Sequence, residues 1–223
     1  MKGLARVCKK QKIIIAGGEI AEVPDMVKGF GWGAAAVGIV EKKKFITGAS
    51  IKAGDDVIGL LSPNFRCNGF SLIRHILKKK YGRNWHTKKW NGRRWGDIVL
   101  DSSVVYHDAV LHLTGRFGQK PSVNIKGIAH ITGGGLTGNI PRILPKGLGV
   151  ILDRLPSPPP AMLALQKLGH VSDKEAYRVW NMGVGMVLIA DETDKALSLL
   201  KKQKMPARVI GKVTRQLGVT VRP

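Results

Sequence analysis

The stretch GIAHITGGGLTGNIPRILP, residues 127–145, constrains the fold of this chain more than any other. An apolar run ends on His130 and passes almost at once into Gly133, Gly134 and Gly135. Glycine costs backbone entropy and is favoured only where φ is positive or another group must approach the main chain closely. The run therefore reads as a strand, 127–131, that ends in a tight turn. Pro141 suits the first turn of a short helix behind it. A strand end, a glycine loop and a helix start together present backbone N–H groups suited to a phosphate. Thr132 adds a hydroxyl, Arg142 a charged fork, and His130 a side chain that exchanges a proton near neutral pH. A tight connection around a core histidine fits the same residues, and the GxxxxGK[ST] phosphate loop is absent.

The rest of the chain alternates between helical and extended patterns. A Leu4/Val7/Cys8 spacing predicts a short helix, and the β-branched residues 12–16 predict a strand running into Gly17 and Gly18. Further strands are expected at 34–41, at 56–61 after the Ala53-Gly54-Asp55 turn, at 183–190 and at 208–213. Phe70, Ile73, Ile76 and Leu77 form one apolar helical face, with Arg74, Lys78, Lys79 and Lys80 mostly off it. Residues 103–113, 162–168 and 194–202 also read as helices. Ser172-Asp173-Lys174-Glu175 has the capping-box form that starts a helix. Residues 156–160 are a proline-rich connector, and 42–52 are the best candidate for a domain boundary. Without internal repeats, this order indicates an α/β fold of α+β character with a mixed sheet.

Composition limits the partners. Of 223 residues, 43% are hydrophobic, enough for a real core, yet no apolar stretch approaches the roughly 18 residues of a membrane span. The start lacks the apolar core of a signal peptide, so a cytoplasmic protein is expected. Cys8 and Cys67 have no metal-ligand or disulfide spacing. A formal charge of +22 predicts anionic partners without separating nucleic acid from phosphorylated metabolites.

Two further stretches could carry chemistry. Gly17-Gly18-Glu19-Ile20-Ala21-Glu22 puts carboxylates on a glycine turn, a setting that suits Mg²⁺ held together with phosphate oxygens, and equally suits a charged surface turn. Residues 78–95, KKKYGRNWHTKKWNGRRW, hold eight Lys/Arg, no acid, and Tyr81, Trp85, Trp90 and Trp95 between them. Such interleaving can stack bases and hold phosphates. It can equally be a solvated loop whose rings cover apolar surface, since no RNP, KH or helix-turn-helix pattern accompanies it.

The motifs KGIAHITGGGLTGNIPRILP and AYRVWNMGVGMVLI together resemble aminoimidazole ribonucleotide synthetase, the phosphoribosylformylglycinamidine cyclo-ligase family. GGEIAEVPDM, AAAVGIVEK and GDDVIGLLSPNFRCNGFSLIRHIL are similar to that family's segments in the same order, whereas 78–96 are an insert. The resemblance covers the family's C-terminal two thirds. It implies the end of an ATP-binding domain over 1–50, followed by the family's C-terminal α/β domain over 51–223. The family's N-terminal ATP- and magnesium-binding segments have no counterpart here, so turnover by this chain alone is not expected.

The implied activity is a purine-biosynthetic ligase reaction. ATP phosphorylates the amide oxygen of formylglycinamidine ribonucleotide, and a nitrogen of the same substrate closes the imidazole ring as phosphate leaves. By resemblance His130 is catalytic; Thr132, Gly133, Gly134, Gly135, Asn139, Arg142 and Asn68 bind substrate or phosphate; and Gly17, Gly18 and Glu19 meet ATP, with Glu19 on Mg²⁺. The implied partners are the ribonucleotide and either a second copy, since the family dimerises through its first domain, or a separate N-terminal chain. Departures from the family pattern are Ile20 for Thr, Asn64 for Gly, Arg66 for His, Cys67 for Ser and Val104 for Arg. They motivate an alternative: a non-catalytic paralogue that binds a phosphorylated ligand or RNA through 78–95.

Overall fold

The computed structural model describes residues 1–222. It divides into two compact units, Met1–Lys44 and the chain from Phe45 onward. In the first unit α1 (Lys2–Gln11) ends on Lys12, whose left-handed backbone (φ 57°) returns N–H groups to the Cys8 and Lys9 carbonyls. Residues 13–41 contain no strand or helix, and a 3-10 turn closes the unit at Lys42–Lys44. The strands expected at 12–16 and 34–41 are therefore absent. Ile14, Val37 and Ile39 are 88%, 98% and 78% exposed. Strand preference in Val and Ile comes from packing on a paired surface. Among the described residues of this unit no strand offers these runs a ladder.

The second unit is a six-stranded sheet covered on both faces. β1 (Asp56–Leu61) leads to α2 (Phe70–Tyr81), then to a two-residue hairpin, β2 (Lys89–Trp90) and β3 (Arg93–Arg94), and to α3 (Trp95–Val99). After α4 (His107–Thr114) come β4 (Ile125–His130), α5 (Gly135–Asn139), a 3-10 turn at Ile140–Ile143 and β5 (Gly149–Leu152). The chain continues through α6 (Pro160–Gly169), α7 (Asp173–Val179), β6 (Val184–Ala190), α8 (Thr193–Lys202), β7 (Ala207–Thr214) and β8 (Gly218–Val221). The strand order is β4-β6-β1-β7-β5-β8, with every pair antiparallel except β5 and β8.

Burial on both faces explains the unbroken apolar runs of β1 and β6, which do not alternate with polar residues. Val57, Ala129, Val187 and Ile189 pack with Ile73 and Leu77 of α2, Met162 and Leu165 of α6 and Tyr177 of α7. Ile58, Leu60 and Leu188 meet Ala109 and Leu113 of α4 and Ala196 and Leu200 of α8. The apolar face read for α2 is buried at Ile73, Ile76 and Leu77. Its three lysines fall in the last turn, at the negative end of the helix dipole. Ser172 caps α7 by accepting the Glu175 N–H, but Glu175 turns its carboxylate to Arg178 and leaves the capping box half made. The helix expected from 103 starts only at His107. Tyr106 is drawn into the core, with its hydroxyl donating to the Leu61 carbonyl at 3.1 Å.

Candidate functional site

The sheet assembles the site by register. Met186 of β6 is paired with Leu60 of β1 on one side and with His130 of β4 on the other. β1 and β4 both run antiparallel to β6, so their C-terminal ends lie at the same end of the sheet. The loop after β1 and the glycine turn after β4 are thereby brought together around the start of β6.

Arg66, from the loop after β1, reaches into this junction. Its backbone is left-handed (φ 58°) and the residue is 7% exposed. Nη1 donates to the carbonyls of Gly185 (2.5 Å) and Ile131 (3.4 Å), while Nη2 contacts Nε2 of His130. The guanidinium lies 5.2 Å from the centre of the Tyr106 ring, within cation–π range. Its Nε is buried without a partner, and no carboxylate pairs with it among the described residues. Burial, reinforced by the neighbouring Arg66 charge, pushes the His130 imidazole below its ordinary pKa. Burial pushes the Tyr106 phenol up, against the pull of Arg66.

Glycine is required at two points here. A Cβ on Gly135 (φ 62°) would collide with the Tyr177 carbonyl, which is how the turn closes onto α7. Gly185 makes room for Arg66 and Tyr106. The turn is otherwise held by Asn139, which is 3% exposed. Its Nδ2 donates to the carbonyls of Gly135 (2.8 Å), Thr132 (3.3 Å) and Gly133 (3.4 Å), and its Oδ1 accepts from the Thr132 hydroxyl at 3.2 Å. The Gly134 N–H donates to Arg178 and the Gly135 N–H to Thr132. The N–H groups of Thr132 and Gly133 have no hydrogen-bond partner among the described residues and can meet a ligand.

On the other side of the junction Asn181, 2% exposed, donates to the Asn64 carbonyl at 3.1 Å and accepts the Gly183 N–H at 2.9 Å. Asn64 in turn donates to the Ser102 carbonyl at 2.5 Å and accepts the Arg66 N–H at 3.2 Å. These bonds fix the loop that carries Arg66.

The expected site residues thus separate into groups. His130, Thr132, Gly133, Gly134, Gly135 and Asn139 form one turn. Asn68 sits in the loop before α2 with its Nδ2 buried and unpartnered. Arg142 is exposed on the 3-10 turn, with no hydrogen bond or ion pair among the described residues. Gly17, Gly18 and Glu19 are exposed residues of the first unit. No cluster of three or more His, Cys, Asp or Glu side chains occurs among the described residues. Sequence reasoning missed Arg66, Tyr106 and Asn181 as members of the site. The one available signal was the small-residue pair Gly183 and Gly185 beside a departure at Arg66.

The basic segment has a structural explanation. Trp95 is 1% exposed and stacks on Trp90 at 5.3 Å, while Tyr81 and Trp85 also pack against the core. Arg93 is held bidentately by Asp101, and Arg94 by Asp97. The rings cover apolar surface and do not form a platform for bases.

A mixed sheet with helices on both faces, and a histidine strand end folded against a glycine turn and an Asn-Met-Gly-Val-Gly segment, define a mixed α/β domain. Residues 52–222 match the family described as AIR synthase related protein, C-terminal domain, and the chain belongs to that family. It is 40% identical over 229 residues to the phosphoribosylformylglycinamidine cyclo-ligase of Oceanobacillus iheyensis, covering 98% of this chain and 64% of the relative. To the cyclo-ligase of Methanocaldococcus jannaschii it is 36% identical over 220 residues, covering 98% and 61%. The chain therefore spans less than two thirds of the length of these relatives. Among solved structures, thiamine-monophosphate kinase from Stenotrophomonas maltophilia aligns with a TM-score of 0.47 at 17% identity, over 82% of this chain and 54% of that one.

Proposed function

We propose that this chain provides the C-terminal part of a phosphoribosylformylglycinamidine cyclo-ligase. The reaction is the ATP-dependent closure of formylglycinamidine ribonucleotide to aminoimidazole ribonucleotide. The observation that carries this reading is the placement of His130 directly before a turn whose Thr132 and Gly133 N–H groups are free to meet a phosphate. The names of the relatives, cyclo-ligases that this chain matches over nearly its whole length, support the same reaction.

ATP supplies the phosphoryl group that turns an amide oxygen into a leaving group. The task of this chain is to hold the ribonucleotide. In this reading Thr132 and Gly133 bind phosphate, Asn139 shapes the turn, and Asn68 offers its unpartnered Nδ2 to the substrate. Arg142 attracts it by charge, and His130 stands at the reacting centre. Gly17, Gly18 and Glu19 meet the nucleotide. Mg²⁺ typically binds through one or two carboxylates plus phosphate oxygens, so the lone Glu19 carboxylate fits it only in the company of ATP. A homodimer, or association with a separate N-terminal chain, belongs to the same proposal, as does a cytoplasmic location.

ADP release in the presence of formylglycinamidine ribonucleotide tests the reading. The chain is assayed alone and mixed with the N-terminal portion of the Oceanobacillus iheyensis relative. Ribonucleotide-dependent ADP release in the mixture, reduced in turnover more than in binding by His130→Ala, is expected. Ribonucleotide that neither binds the chain nor supports turnover in the mixture would overturn it.

A further inference from the structure

Two features at the junction stand out together. Arg66 is a buried cation with no counter-anion, and the group it touches is the histidine assigned above to the reacting centre. A guanidinium has only donors and does not lose its proton, so an imidazole nitrogen facing it must accept. His130 meets Arg66 through Nε2. Its Nε2 lone pair is therefore occupied, and its single proton lies on Nδ1.

Among the described residues, the surroundings supply no negative charge to reverse this. Gly185 and Met186 come from β6 and are uncharged. The loop after β1 contributes Arg66 itself, and the segment before α4 contributes Tyr106, whose phenol stays neutral. The same loop is locked by Asn64 and Asn181, so Arg66 cannot leave the histidine without breaking the Nη1 bonds to Gly185 and Ile131.

We propose that Arg66 is a positioning residue that fixes His130 as the neutral Nδ1–H tautomer, so that His130 acts as a hydrogen-bond donor through Nδ1 and not as a base through Nε2. A neutral imidazole gives up its remaining proton far too reluctantly to shuttle it near neutral pH. It can still polarise an oxygen by donating to it, as a neutral histidine does in known enzymes. In the ring closure proposed above, the acceptor would be an oxygen of the substrate amide or of its phosphorylated form. This last step rests on the proposed function, whereas the tautomer does not.

Long-range ¹H–¹⁵N spectra of the full chain test the proposal without substrate or turnover. Nδ1 is expected to appear protonated and Nε2 unprotonated, and the ring to remain mostly neutral at pH 6.5, the ordinary midpoint. Arg66→Lys keeps a donor and should preserve the Nδ1–H form. Arg66→Gln removes the charge and should move the titration midpoint up towards 6.5. A wild-type spectrum with the proton on Nε2, a wild-type midpoint at or above 6.5, or identical behaviour of the two variants would each overturn it. If Arg66→Gln fails to fold, the wild-type spectrum still decides. An Nδ1–H spectrum combined with absent ADP release would count against the cyclo-ligase reading alone.

Discussion

Gly185 and Arg66 share one small volume: a Cβ on Gly185 would lie 2.6 Å from Nη1 of Arg66, and closer still to the Tyr106 hydroxyl. Neither neighbour can retreat freely, because Arg66 is bonded to two carbonyls and Tyr106 to Leu61. Gly185→Ala should cost about 1–3 kcal/mol through overpacking. The measurement is a lower urea midpoint at unchanged slope.

Within the glycine turn the positions should respond differently. Gly135→Ala places a Cβ on the Tyr177 carbonyl at a left-handed backbone, so the melting temperature should fall by several degrees. Gly133 meets nothing within 4 Å, so Gly133→Ala should change stability by less than about 0.5 kcal/mol. If Thr132 and Gly133 bind phosphate, that quiet substitution should nevertheless weaken the ribonucleotide. Equal affinity in calorimetric titration would take the turn out of the binding site.

Asn139 offers a test of how the turn is held. Asn139→Ala removes the donor to three carbonyls and should cost about 1–3 kcal/mol. Asn139→Asp should cost more, because it points a carboxylate oxygen at those carbonyls. Denaturation curves for the two variants give the order, and a milder Asp variant would mean that the turn rearranges.

Lys126, whose side chain is 3% exposed, bridges Asp55 (2.9 Å) and Asp191 (2.5 Å). Lys126→Ala strands the buried Asp55 carboxylate and should cost about 3–5 kcal/mol. The Lys126 bond holds Asp191 below its ordinary 3.8. Since the folded pKa lies below the unfolded one, this stabilisation is complete above 3.8 and is lost as pH falls through the lower folded value. Urea midpoints should drop on acidification through this window, and Lys126→Met should flatten the drop.

In a Trp32→Phe background, which removes an exposed ring outside the basic insert, single-stranded RNA should leave tryptophan fluorescence unchanged, because the Trp90 and Trp95 rings face each other and the core. Any binding should be electrostatic and disappear with salt. Trp90→Ala should lower the melting temperature without altering RNA affinity. Strong quenching by RNA would reopen a stacking role.

What the sequence revealed depended on whether the cause was local. β1 and the apolar face of α2 were legible because their patterns run for a whole element, and the Ser172 cap is a four-residue motif. β5 and β8 were missed. Each is four residues long, and what makes them strands is pairing: β5 with β7, and β8 with β5. The opposite error at 12–16 and 34–41 has the same root, since β-branched residues favour a sheet only when a sheet is there to join. The glycine turn was legible as a turn, whereas Asn139 entered only through the family resemblance, as a ligand-binding residue. Arg66 read only as a departure from a family pattern, because its meaning lies in residues 64 and 119 positions away.

Gly185 offers one carbonyl oxygen to two distant donors, the Ile131 N–H at 3.1 Å and Arg66 Nη1 at 2.5 Å. That oxygen belongs to β6, which is flanked by β4 and β1 and cannot peel away as an edge strand would. The acceptor that anchors Arg66 therefore stays in place when the loops around it move. Deuterium uptake at the Ile131 amide should follow openings of the edge strand β4 and run ahead of uptake at the β6 amides. The histidine–arginine contact thus ties the loop after β1 to both an interior strand and the edge strand that carries His130.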